Sequence, residues 1–339
     1  MTIEKDRFIK LTSTEIASLW NTYIYASMSA CLLTHFVDTV SDPEVAELLN
    51  QNLEASQKHL NDIQELFKKE EIVQPIGFPV AKHVIRKSPK LFSDVFYLQY
   101  LIHVNKFGLV AHAGDIAMAS RKDIRDLYSR FLADTLKMYD DIIQVMLQKG
   151  VYIRPPHMTY PDQVDFVEKK SFLNGWLGHT RPLLGIEVSQ LFHTLLHNHI
   201  GNQVCIGFAQ VTDDEEISSH FLRGKHLCSN ILSDIYNILL ESDVPPATNW
   251  DASVTNSTTA PFSNQLMLFI LGSLSSIGNA AYGASLAVSM RRDLGLMFEK
   301  FIAKALAYGA DGINIMIERG WLEQPPHYLD REKLSKEKT

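Results

Sequence analysis

In this 339-residue sequence the side chains best placed to bind something are histidines. The stretch "LFHTLLHNHIGN" sets His193 and His197 four apart, a spacing that on a helix turns both imidazoles to one face and can offer them to a single metal ion. Folding the chain back about a turn near 213 brings position 226 opposite about 200, so His226 could supply a third ligand. A transition metal, Zn, Ni, Cu or Fe, is what such a set would hold. The matching places in the first half of the chain carry Asn21, Tyr25 and Glu54, while His112 matches Tyr282 on a later element. Tyr25, Glu54 and His112 then form a polar layer of the first half. The competing reading of both sets is a hydrogen-bonded layer inside helical bundles, which satisfies buried groups and fixes register without any ligand.

Other chemistries have less support. Cys31, Cys205 and Cys228 are scattered and form no C-x-x-C pair, which fits buried thiols in a reducing compartment. Phosphate-loop and serine- or cysteine-nucleophile signatures are absent from the sequence. The formal net charge of −7 and the lack of a basic stripe argue against nucleic acid as a partner. Arg121-Lys122 and Arg291-Arg292 could meet an anion at a helix start, although Asp123 and Asp293 stand beside them. The charged opening "MTIEKDRFIK" does not read as a secretory signal, so a cytoplasmic location is expected. Residues 265–290 carry no charge over about 26 positions, long enough for a bilayer of ~30 Å. Their counterpart at 95–120 holds His103, Lys106, His112 and Asp115, so a buried core helix is expected and no membrane partner.

The elements that must position these residues come from a repeat. "GVYIRPPHMTY" at 150–160 and "GWLEQPPHYLD" at 320–330 are two versions of one ending. A shift of 170 also lays Phe92-Ser93-Asp94 on Phe262-Ser263-Asn264 and Arg121-Lys122-Asp123 on Arg291-Arg292-Asp293, and a shift of 172 lays Glu15-Ile16 on Glu187-Val188. Each copy holds apolar residues at helical spacing over four segments, near 14–40, 43–72, 92–119 and 122–149 in the first. Ser41 with Glu44, and Thr212 with Glu215, fit capping boxes. Between the second and third helices lie about 18 residues without helical pattern, enough to run the length of a bundle. Gly150 and Gly320 suit left-handed helix stops, and the following prolines prevent continuation. His157 and His327 then read as capping or surface groups.

The fold class read from these features is all-α: a tandem duplication of a ferritin-like four-helix bundle, two hairpins joined by a long crossover in each copy. The expected organisation is a first bundle at 1–150, a linker at 151–185, a second bundle at 186–327 and a charged tail at 328–339. Within the linker, Asp162 to Leu177, with Phe166, Phe172 and Trp176, reads as an amphipathic piece packed between the bundles. Each bundle is expected to keep its own core.

With its duplicated unit, crossovers and paired Gly…Pro-Pro-His endings, nearly the whole chain resembles the bacterial domain-of-unknown-function family numbered 3231, found mainly in spore-forming Firmicutes. That resemblance implies tandem helical bundles and a link to sporulation or stress, and it implies no activity. The fold relation raises the question of a di-iron centre, but the Glu-x-x-His pairs such a centre needs do not occur in this sequence. Two functions follow as expectations. The first is a non-catalytic bundle serving assembly or protein contact, through a partner or self-association, with no cofactor assigned. The other is a metal- or small-ligand-binding bundle with redox activity.

Overall fold

A computed structural model describes residues 9–175, 180–246 and 253–336. The first copy comprises α1 (Ser13–Thr39), α2 (Pro43–Lys69), a single turn α3 (Val80–His83), α4 (Asp94–Met118) and α5 (Lys122–Gln148). The second comprises α6 (Gly185–Val211), α7 (Glu215–Glu241), α8 (Asn264–Val288) and α9 (Arg292–Glu318), and α10 (Arg331–Lys336) follows. The chain is all-α and duplicated, with two antiparallel hairpins and one crossover per copy. Among the described residues β-structure is confined to two isolated bridges.

Local chemistry sets the helix ends. Thr12 caps α1 in a capping box with Glu15, and Ser93 and Ser263 cap α4 and α8. The boxes expected at Ser41 and Thr212 are not the ones that form. Asp42 caps α2, its carboxylate accepting from the amides of Glu44 and Val45 at 3.0 and 3.3 Å, and Asp214 caps α7 through the Ile217 amide at 3.1 Å. A carboxylate next to the first turn is the stronger acceptor there, because it also meets the positive end of the helix dipole. At the other ends, Gly150 and Gly320 have φ of +69° and +64°. The paired bonds from Val151 to Met146 and from Trp321 to Met316, at 3.0 and 2.8 Å, complete the left-handed stop expected of both glycines.

Four helices, α1, α4, α6 and α8, are apolar around most of their circumference and lie inside; α2, α5, α7 and α9 are amphipathic and flank them. Among the described residues α8 alone is long and apolar enough to cross a membrane, and half of its most apolar window is buried inside the protein. Buried Glu15 ties α1 to the α4–α5 turn by accepting from the amides of Ser120 and Arg121 at 2.9 and 2.8 Å. Glu187 repeats the device on Met290 and Arg291, at 3.2 and 3.1 Å. The neighbouring guanidinium groups are not anion sites. Arg121 is held by Glu70 and Asp123 at 2.8 and 2.7 Å, and Arg291 by Asp293 at 2.6 Å.

The core departs from the expected pair of separate bundles. Its largest cluster runs through both copies, joining Phe36, Phe92, Phe96 and Tyr97 to Phe208, Phe221, Phe262 and Leu266, and a smaller cluster lies in each copy beyond it. The crossovers cause this, because they pair with each other. The amide of Ile85 donates to Pro261 and that of Thr255 to Leu91, at 2.8 and 2.9 Å; Ser93 donates to Ser253 and Ser263 to His83, at 2.8 and 3.0 Å. Each bond has its counterpart under the 170-residue shift, so the copies are related by an approximate two-fold axis through the crossovers.

The linker also differs from expectation. Among its described residues the regular structure is one 3-10 turn, Lys170–Leu173, and Phe166 is 88 % exposed. Over the described residues 162–175 no α-helix forms, and Val164, Phe166 and Val167 stay exposed with no apolar surface to cover. The guanidinium of Arg181 covers the Phe172 ring at 4.3 Å, while Trp176 and Leu177 lie outside the described residues.

Candidate functional site: a histidine layer between the copies

His197 on α6 does not look into its own bundle. Its Nδ1 lies 3.1 Å from Nε2 of His103 on α4, so the contact joins the two copies. Both rings are neutral, so one of the two facing nitrogens donates and the other accepts. Gly278 makes the approach possible, since a Cβ there would stand 2.6 Å from His197 Nε2. Phe107 closes the layer, stacked on His193 at 5.8 Å and edge-on to His103 at 4.8 Å.

Burial keeps these imidazoles neutral. It pushes His197 and His193 down to about 4, helped at His197 by His193 and at His193 by Lys106, and His103 well below its ordinary value. Lys106 is itself lowered by burial. The two-fold counterpart of the His197–His103 contact is Tyr25 with Ser273, whose hydroxyl donates to the Phe269 carbonyl at 2.8 Å, and the Tyr25 ring lies 6.0 Å from Phe269.

The three histidines chosen from sequence do not converge. His226 is exposed, because Gly224, Leu227, Cys228 and Ile231 are the α7 residues that line the bundle interior and His226 turns away from them. His193 faces Phe107 with its Nε2 buried and unpartnered, and Nδ1 of His197 is already engaged with His103. Among the described residues no group of three His, Cys, Asp or Glu side chains is arranged to hold a metal. The arrangement is a neutral hydrogen-bonded relay, chemically unlike a chelate, which needs unshared nitrogen lone pairs.

The first-copy layer is likewise redrawn. Glu54 is exposed and Tyr25 sits at the boundary between copies, 38 % exposed. Only His112 remains inside, 6.0 Å from His59, which stacks on Phe131 at 3.8 Å. Burial lowers both imidazoles to about 4. Nearby, Asn105 donates to Asn52 at 2.8 Å. Asn52 and His59 follow the same inward spacing as Leu48, Leu49, Ile63 and Phe67, and that signal was available in the sequence. The His103–His197 contact had no such signal, since it depends on how the copies dock.

No curated protein matches the chain significantly. Among solved structures, a protein from Bacillus halodurans named provisionally as a spore coat protein is 18 % identical with a TM-score of 0.42, covering 46 % of this chain and 99 % of its own. A family model described as "Protein of unknown function (DUF3231)" matches twice, over residues 3–164 and 171–334, and the chain belongs to that family.

Proposed function

We propose that the protein is a non-catalytic helical scaffold that assembles by docking α9 against α9 of a second copy of the same chain. The observation that carries this reading is the outer face of α9. Leu306, Ile313 and Ile317 are 58, 48 and 57 % exposed, and with Ala303 and Ala310 they make a continuous apolar stripe along several turns. The equivalent α5 stripe is interrupted by Asp140. An antiparallel two-fold pairing centred near Tyr308 would set exposed Lys304 against Asp311 and Lys300 against Glu318 of the other copy, giving the apolar stripe a charged rim of matching sign.

Sedimentation velocity of the full chain over a range of concentrations tests the reading. Concentration-dependent association is expected, and L306E together with I313E should abolish it while leaving helix content unchanged. A wild-type protein that stays monomeric throughout would overturn it. A role in sporulation or stress, which the family resemblance supports, and a cytoplasmic location belong to the same reading; accumulation during sporulation and recovery in the cytosolic fraction would test them.

A further inference from the structure

The second copy contains a cavity of about 40 Å³ between α6, α7, α8 and α9, room for a water or two, since one needs ~10–15 Å³ on this measure. Two glycines on facing helices border it. A Cβ at Gly201 would lie 3.2 Å from Cys228 Sγ, and one at Gly224 would lie 2.8 Å from Cys205 Sγ. Each thiol therefore rests over a glycine of the opposite helix, and both line the same cavity. Tyr308 Oη, close to the same Gly224, is buried without a hydrogen-bond partner of ordinary geometry. The first copy has no equivalent: Leu33 and Ser56 stand at the cysteine positions and Asn52 at that of Gly224. Cys31, the third cysteine, is apart, its Sγ donating to the Phe78 carbonyl at 3.1 Å.

We propose that Cys205 and Cys228 are a dithiol that a hydroperoxide oxidises to a disulfide joining α6 to α7. Cys228 is partly accessible while Cys205 is 1 % exposed, so Cys228 reacts first. Its sulfur attacks the peroxide, the O–O bond breaks, and a sulfenic acid and one molecule of water (or of alcohol) result. The Cys205 sulfur then attacks the Cys228 sulfur, the S–O bond breaks, and the departing oxygen leaves as a second water with the Cys205 proton. Two electrons pass from the thiols to the peroxide. The cavity accommodates the displaced oxygen, with Tyr308 Oη on its wall. The neighbouring thiol and burial raise the Cys205 thiol, so its proton leaves with the departing oxygen as the S–S bond forms.

The test uses the folded full chain treated with hydrogen peroxide, then alkylated under denaturing, non-reducing conditions and read by intact mass and peptide mapping. The expected product has lost two hydrogens, retains one alkylatable thiol of the original three and yields a cross-linked peptide pair containing Cys205 and Cys228, restored by dithiothreitol. C205S and C228A should each yield no cross-link, and a helix signal matching the wild type shows that the variant is folded. Three alkylatable thiols after a treatment that oxidises a control dithiol, oxygen adducts on one cysteine without a link, or a link that includes Cys31 would each overturn the proposal.

Discussion

Gly278 and His197 share a space that only one of them can fill: a Cβ on residue 278 would lie 2.6 Å from the imidazole Nε2. Alanine is ordinarily better than glycine inside a helix by ~1 kcal/mol. Here that gain is opposed by overpacking of ~1–3 kcal/mol and by displacement of the ring from its hydrogen bond with His103. Gly278→Ala should therefore destabilise by ~1–3 kcal/mol in chemical denaturation, whereas Gly272→Ala and Gly283→Ala, with nothing within 4 Å of the new methyl group, should stabilise by up to ~1 kcal/mol each. Equal behaviour of the three variants would remove the steric argument for His197.

Acid should unfold this protein early. His35, His59, His112, His193, His197, His199 and His220 are all lowered to about 4 by burial, whereas an unfolded chain takes up these protons near 6.5. A depressed histidine is neutral in both states above pH ~6.5, so nothing is lost there. As pH falls from about 6.5 towards 4 the unfolded chain binds protons that the folded chain refuses, and stability declines by up to ~1.4 kcal/mol per histidine per pH unit. Several such groups together exceed a usual stability of ~5–15 kcal/mol. Circular dichroism melts should lose most of their midpoint temperature between pH 6.5 and 5, and a flat profile across that window would contradict the buried, neutral assignment.

Damage to the first crossover should be felt in the second copy. Phe92 stacks on Phe96 at 4.3 Å and fills the slot over Gly207 of α6. Phe92→Ala removes a fully buried ring, with an expected loss of ~3–5 kcal/mol. Because the main core is common to both copies, the wild type should melt in one transition with matching calorimetric and van 't Hoff enthalpies. In the variant, amide exchange should rise on α6 as well as on α4. Loss of protection confined to α4 would mean the copies are energetically independent.

The architecture was legible from the sequence where its signals were periodic and local. The 170-residue repeat, the four long segments per copy and the two glycine stops all have counterparts in the fold. Facing direction was harder to read. Position 226 does lie across from α6, but a hairpin argument fixes height along the bundle and leaves rotation open, and each residue turns a helix face by ~100°. Contacts between copies left no periodic trace at all: His103 finds His197, and Leu91 finds Thr255, only after two whole units dock. Cys205 and Cys228 seemed scattered for a related reason, since an antiparallel hairpin joins residues that are distant in sequence.

The reciprocal bonds between the crossovers make this chain, in effect, a dimer whose subunits cannot be diluted apart. Their meeting is governed by an effective concentration set by the linker. In a homodimer every substitution near the axis occurs twice, so a change must suit both flanks at once. Fusion lifts that restriction, and this chain shows the result: one flank of the axis carries the imidazole pair His103–His197, the other the phenol–hydroxyl pair Tyr25–Ser273. Only the first of these gains protons when it opens, because burial lowers both imidazoles in the closed pair. The two flanks should therefore part in sequence, with the imidazole side opening first, so that acidification gives the molecule a direction of opening that a symmetric pair could not have.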